Sequence, residues 1–165
     1  MAVYQRLTKQ ISFLPFFLIL IFSGAANAEP APEFFISSLA NQRFESKKVK
    51  GPYVVSFFFV DCLPCRKEIP QLYKMMTQDY PKVSLLFIDP IKEDSVKKIK
   101  RFARKLKVPK EYFYKDSFGA VGNKFSMDKR GYPTIFGING SKYLFVVNDL
   151  EIDSINKIKE MLTTF

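Results

Sequence analysis

A chain of 165 residues with 47% hydrophobic composition is long enough to form a globular domain with a core of its own. Its formal charge of +10 favours contact with acidic partners or an anionic lipid surface. No nucleic-acid-binding motif is present, and two cysteines without any histidine do not supply the four ligands of a zinc site.

Residues 1–28 have the pattern of an export signal. Two basic residues precede the apolar run 11–22, and Ala26-Asn27-Ala28 fits the small-x-small rule for cleavage. The run is shorter than the ~20 residues that span a bilayer, so we predict a cleaved signal peptide, with an uncleaved N-terminal membrane anchor as the alternative. Residues 29–165 then form one exported domain in the bacterial periplasm or another extracytoplasmic space, where disulfide chemistry is expected.

The hydrophobic pattern predicts alternating strands and helices after the signal. In chain order we predict a hairpin of strands 34–37 and 42–45, a strand at 53–60, a helix from about 64 to 78, a strand at 83–89, a helix from 94 or 95 to 106, a short helical piece at 118–125, strands at 134–138 and 143–147, and a helix at 152–162. The unbroken apolar run 53–60 indicates burial on both faces, as in a parallel sheet. Pro70 should kink its helix, and Asn139-Gly140 predicts a hairpin turn with positive φ at both residues.

Cys62-Leu63-Pro64-Cys65 lies between a predicted strand and a predicted helix. A pair at such a turn places the first sulfur at a helix N-terminus, where backbone N–H groups and the helix dipole favour a thiolate. The thiolate performs thiol–disulfide exchange. A structural disulfide is the alternative, although closing so short a loop adds little stability in the chain-entropy model.

At this point the chain resembles the thioredoxin superfamily and, within it, the exported TlpA/ResA-like thiol–disulfide oxidoreductases. The similar segments are Ala31-Pro32-Glu33-Phe34, Val49-Lys50-Gly51, Cys62-Leu63-Pro64-Cys65-Arg66-Lys67-Glu68-Ile69-Pro70 and Gly131-Tyr132-Pro133-Thr134-Ile135-Phe136. The resemblance covers nearly all of residues 29–165. It implies a thioredoxin-like α/β fold, with a central mixed sheet flanked by helices and an N-terminal β-hairpin. Two features depart from the family. Asp61 stands directly before the first cysteine, where the family usually has a tryptophan, and the first hairpin lacks the glycine-containing turn that is frequent in the family.

The resemblance implies roles for residues around the pair. Cys62 is expected to be the exposed nucleophile and Cys65 the resolving thiol that releases the mixed disulfide. Glu68 is expected to help manage protons, with a carboxylate favoured by the helix dipole as the alternative. Pro133 is expected to be the cis-proline opposite the cysteines, with an ordinary trans proline in a loop as the alternative. If the bond is cis, the Tyr132 backbone is free to pair with an extended substrate segment.

Asp61 and Pro64 are expected to modulate the redox pair. A carboxylate at Asp61 should raise the pKa of the Cys62 thiol, unless it points into solvent. A less stable thiolate makes the dithiol a better reductant. Pro64 lies near the helix start, where it either fixes helix geometry alone or also tunes the potential.

These features predict an enzyme that needs no cofactor and no metal. We expect a redox-active disulfide of Cys62 and Cys65 that reduces cysteine-containing exported proteins, with a membrane thiol protein as electron donor. The resemblance suggests apocytochrome c as a substrate class. The alternatives are a disulfide-forming oxidase on the same fold, a copper(I) carrier using both cysteines, and a non-catalytic module with an inert disulfide.

A basic run crosses the helix predicted near residues 95–106. The segment from Ser95 to Lys110 contains eight lysines and arginines, Lys110 included, and no acid. Such a run is usually a solvated helix face, and docking to an acidic partner or to anionic lipid is the alternative. We expect a monomer with at most weak contact with a membrane surface.

Overall fold

The computed structural model describes residues 29–165, so the predicted signal segment, 1–28, lies outside the described residues. The strands are β1 (Phe35–Ser37), β2 (Arg43–Glu45), β3 (Pro52–Phe57), β4 (Ser84–Asp89), β5 (Phe113–Lys115), β6 (Thr134–Asn139) and β7 (Lys142–Val147). The helices are α1 (Leu63–Asp79), α2 (Val96–Lys105), α3 (Ala120–Lys124) and α4 (Ile152–Leu162). No helix in this range is both long and apolar enough to cross a bilayer.

Five strands form one mixed sheet in the order β5-β4-β3-β6-β7, while β1 and β2 form a separate antiparallel hairpin. The central strand β3 runs parallel to β4 and antiparallel to β6. Helix α1 connects β3 to β4, and α2 lies between β4 and β5 in the chain. The thioredoxin-like α/β fold with an N-terminal hairpin is therefore confirmed.

Both faces of the sheet are buried, which explains the continuous apolar run of β3. Val54 and Phe58 belong to a core formed with residues of α1, α2 and α4. Tyr53, Val55 and Phe57 belong to a second core, formed with the hairpin and α3. Successive side chains of a strand point to opposite faces, so a strand covered on both sides must be apolar at nearly every position.

Strand β3 ends at Phe57, three residues earlier than predicted. The Phe58 N–H still donates to the Ile88 carbonyl at 3.1 Å. The Val60 N–H donates instead to Asp94 Oδ2 at 2.9 Å, and the Val60 carbonyl accepts from the Arg66 guanidinium at 3.2 Å. Side chains have replaced the strand ladder at this point, so the chain leaves the sheet just before the cysteines.

Two other predictions need correction. Strand β5 was not predicted, because it has only three residues and forms the edge of the sheet beside β4. The turn between β6 and β7 comprises Gly140 and Ser141, closed by the pair Asn139 and Lys142. Only Gly140 has a positive φ, 59°, so Asn139 is the last residue of a strand and not part of the turn.

The helices otherwise follow the predicted pattern. Helix α1 continues through Pro70 from Leu63 to Asp79. Ser95 caps α2, since its hydroxyl accepts the Lys98 N–H at 3.3 Å. Each of α2 and α4 begins with an exposed apolar residue, Val96 and Ile152 respectively. The apolar face of each helix meets the core only from the second turn onward.

Candidate active site

The cysteine pair lies where the chain passes from β3 into α1. Cys62 is the N-cap of α1, and the Cys65 backbone N–H donates to its Sγ at 3.2 Å. The two cysteines form a disulfide with Cα atoms 5.3 Å apart. Pro64 lies in the first turn, where a missing backbone N–H leaves no helical hydrogen bond unmade. The helix N-terminus is therefore directed at the Cys62 sulfur, as the sequence predicts.

Cys62 is only 2% exposed and Cys65 is fully buried. The prediction of an exposed Cys62 is wrong for the oxidised protein, because its sulfur turns inward to bond Cys65 and to accept the Cys65 N–H. Leu63, between them, is 72% exposed. Between the two buried cysteines, Leu63 thus presents an apolar side chain to solvent. The assignment of nucleophile and resolving thiol stays a prediction.

The Tyr132–Pro133 peptide bond is cis, as predicted. This segment leads into β6, whose first residue, Thr134, pairs with Phe57 at the end of β3. The rings of Tyr132 and Phe59 meet edge to face with centroids 5.4 Å apart. The segment therefore lies against the loop that carries Cys62, and substrate pairing by Tyr132 stays a prediction.

Asp61 is not the isolated charge that the sequence argument assumes. Its side chain is 77% exposed, and its Oδ1 lies 3.2 Å from Arg66 Nη2. Solvent screens such a charge, and the adjacent guanidinium offsets what remains. The expected influence of Asp61 on Cys62 is correspondingly small.

Glu68 lies one helical turn after Cys65 and is partly buried. Its Oε2 is buried and has no hydrogen-bond partner within residues 29–165. Burial raises the pKa of Glu68, and the negative charge of Asp149 raises it further. A carboxyl group with a raised pKa holds and releases protons closer to neutral pH, which suits the predicted role beside the resolving thiol.

Sequence reasoning missed a buried pair of ionisable side chains, Asp89 and Lys115, at the same end of the sheet. Asp89 ends β4 with 0% exposure, and its Oδ1 accepts the Ile91 N–H at 2.8 Å and faces Lys115 Nζ at 3.4 Å. Burial raises the pKa of Asp89 to about 7, although Lys115 opposes this shift. The charge of Asp89 adds to burial in raising the pKa of Tyr132. The sequence does show an aspartate, Asp89, at the end of an apolar strand, which could have indicated a buried acid. Its partner, Lys115, is identified only by the register that pairs β4 with β5.

Comparison with known proteins agrees with this geometry. Residues 28–146 match the AhpC/TSA family, and no curated protein matches the chain in sequence. The fold is similar to that of a secreted disulfide oxidoreductase of Mycobacterium tuberculosis homologous to Escherichia coli DsbE, with a TM-score of 0.64 and 17% identity over 80% of this chain and 96% of that one. It is also similar to a thiol:disulfide interchange protein of the thioredoxin family from Chlorobium tepidum (0.66; 20% identity; 84% and 97% covered). StoA from Bacillus subtilis is a third similar structure (0.65; 16% identity; 79% and 98% covered). At these identities the likeness establishes the thioredoxin-like fold.

Proposed function

We propose that this chain, which belongs to the AhpC/TSA family and has a thioredoxin-like fold, is a thiol–disulfide oxidoreductase that reduces disulfides of exported proteins. The observation that carries the proposal is Cys62 as the N-cap of α1, with its sulfur accepting the Cys65 N–H and joined to Cys65. Helix N-termini stabilise a thiolate, so the reduced protein has a nucleophile at the start of α1.

The reaction is a two-electron exchange. The Cys62 thiolate attacks one sulfur of the substrate disulfide, forming a mixed disulfide while the second substrate sulfur leaves as a thiolate and takes a proton. Cys65 then loses its proton, for which Glu68 is the nearby acceptor we assign, and attacks Cys62. The substrate leaves with two thiols and the enzyme keeps a disulfide. A membrane dithiol protein, the donor class that the family resemblance implies, returns the two electrons.

The surroundings of Cys62 favour the reducing direction. Leu63 and Pro64, between the cysteines, carry no charge, and Asp61 is paired with Arg66. Neither residue between the cysteines adds a positive charge that would stabilise the thiolate further, and a less stabilised thiolate makes a stronger reductant. We expect a reduction potential closer to that of thioredoxin, about −270 mV, than to that of DsbA, about −120 mV.

Two features support exported substrates. Residues 1–28 have the pattern of an export signal, and the similar Mycobacterium tuberculosis protein is described as secreted and homologous to DsbE. We therefore assign substrates among exported proteins with cysteine pairs, and apocytochrome c is the class that the TlpA/ResA resemblance adds.

Trapping tests the exchange and the order of attack. In Cys65→Ser the resolving thiol is absent, so mixed disulfides with substrate proteins should accumulate on non-reducing gels of cells expressing the whole chain. The matched Cys62→Ser variant should trap none, because it lacks the attacking thiol. Equal trapping by both variants would contradict the assignment of Cys62, and a glutathione titration giving a potential near −120 mV would contradict the reducing direction.

A further inference from the structure

A groove of about 290 Å³ opens beside the cysteine pair. One wall is formed by Val60 and Asp61, immediately before Cys62, and the first turns of α1 contribute Arg66. Helix α2 forms the opposite wall, and its apolar residues Phe102 and Leu106 line the floor. Whatever occupies the groove therefore contacts Val60 and Asp61, the two residues that lead into Cys62.

The groove has a surplus of positive charge. Its cations are Arg66 and, along one stripe of α2, Lys98, Arg101 and Lys105. Arg66 is paired with Asp61, and Lys98 with Asp94 at 3.5 Å. In the part of the chain that the structure describes, neither Arg101 nor Lys105 has a carboxylate within 4.0 Å. Two cations therefore remain free to pair with an acidic ligand.

The groove is held in place relative to Cys62. Asp94 accepts the Val60 N–H, and the Arg66 guanidinium donates to the Val60 carbonyl, so the wall is fixed from the segment before α2 and from α1. Phe102 stacks on Phe58, just beyond β3, with ring centroids 5.4 Å apart and planes inclined by 11°. A ligand bound here thus keeps a defined position relative to the sulfur.

We propose that this groove binds an acidic stretch of the partner protein that lies next to the partner's reacting cysteine. The inference rests on the proposed function, since exchange brings a polypeptide to Cys62. Carboxylates of such a stretch pair with Arg101 and Lys105 through charge-assisted hydrogen bonds, and its apolar atoms cover Phe102 and Leu106. A concave site of this size accepts a few side chains, whereas a lipid surface would need a flat or protruding cationic face.

Three peptides that differ only in charge test the proposal. Each has one cysteine flanked by glutamates, glutamines or lysines, blocked as a mixed disulfide with 2-mercaptoethanol, and is mixed with the reduced whole protein. We expect the acidic peptide to react about tenfold faster than the glutamine peptide at low ionic strength. The ratio should approach one in about 0.5 M salt, where the Debye length is only a few ångströms.

Helix α2 offers a matched control for the groove residues. Arg101→Glu/Lys105→Glu changes the groove, whereas Lys100→Glu/Arg104→Glu makes the same charge change at the same spacing on exposed residues of α2 that do not line it. The first variant should lose the acidic preference and favour the lysine peptide, while the second should keep most of the preference. Far-ultraviolet circular dichroism shows whether both variants fold, and the rates of each variant with the acidic and lysine peptides are divided by its own rate with the glutamine peptide.

Binding of serine-for-cysteine peptides, followed by fluorescence anisotropy, separates this proposal from the proposed function. If wild-type protein reacts with none of the peptides, the proposed function fails. The anisotropy measurement alone then shows whether the groove binds acidic peptides. Equal loss of acidic preference in both double variants would overturn the groove, because overall charge would then suffice. The proposal would also be overturned if wild-type protein bound phosphatidylglycerol vesicles and showed no preference for the acidic peptide. Arg101 and Lys105 would then be assigned to lipid binding.

Discussion

Replacing Asp89 by asparagine tests whether burial or the ion pair with Lys115 sets the charge of this carboxyl group. The side chain has no exposure, and its Oδ2 lacks a hydrogen-bond partner among the described residues. Desolvation favours the neutral acid, and Lys115 at 3.4 Å favours the carboxylate. Burial prevails in raising the pKa of Asp89 to about 7.

The consequence is a loss of stability as pH rises. Between pH 4 and 7 the folded protein keeps a proton on Asp89 that the unfolded chain, with an ordinary pKa of 3.8, has released. Raising the pH through this window therefore favours unfolding. The gap between 3.8 and about 7 corresponds to at most about 4 kcal/mol.

Asparagine resembles the protonated acid, so Asp89→Asn should lack this pH-dependent loss. Over this window the neutral acid of the wild type, like the asparagine, gives Lys115 no carboxylate partner, so the stability of the variant should stay nearly constant. The measurement is urea unfolding of oxidised protein from pH 4 to 8. The free energy of unfolding of wild type minus that of the variant should fall by up to about 4 kcal/mol between pH 4 and 7 and level off above.

The exposed Asp79, at the end of α1, supplies the control, since Asp79→Asn should leave the pH profile almost unchanged. A wild-type minus Asp89→Asn difference that is flat from pH 4 to 7 and falls only below pH 4 would refute the reasoning. It would mean that Lys115 prevails over burial and that the pKa of Asp89 lies below its ordinary value.

Two further substitutions test the packing and the electrostatics. A Cβ added at Gly137 in β6 would lie 2.1 Å from Cε1 of Phe145, whose ring is buried. Gly137→Ala should therefore lower the free energy of unfolding, measured in urea, by about 1–3 kcal/mol. A loss under about 0.5 kcal/mol would show that the ring moves aside at little cost. Asp61→Asn should make the protein more oxidising by no more than about 10 mV in a glutathione titration, because an exposed pair contributes about 0.5 kcal/mol. A shift of about 30 mV would show that Asp61 acts on Cys62 as an unpaired charge.

Local patterns were sufficient to predict most of the fold. The apolar run of β3 and the 3.6-residue repeat of α2 are strong because burial demands them over many residues. Strand β5 has three residues, too few for a period to appear, and it is a strand because β4 offers it an edge. The position of Pro133 beside the active-site loop required the family resemblance, since nothing local to Tyr132 indicates that β6 pairs with β3.

The electrostatics of the site could not be predicted from neighbouring residues in the sequence. Asp61 was assigned an effect on Cys62 because the two residues are adjacent, but its partner Arg66 is five residues further along the chain, in α1. The partner of Asp89 is 26 residues away and is set by strand register. The free cations of α2 matter only because the helix packs beside Val60 and Asp61.

The loop before Cys62 shows how these long-range contacts produce the chemistry. A sequence with Phe58-Phe59-Val60 after β3 could continue as a strand on propensity alone. Asp94 takes the Val60 N–H and Arg66 takes the Val60 carbonyl, so neither group is available to a neighbouring strand. The chain can then turn, and Cys62 reaches the N-cap position with its sulfur accepting the Cys65 N–H. Asp94, which the sequence analysis placed only at a possible start of α2, is thus one of the residues that place the reacting sulfur at the start of α1.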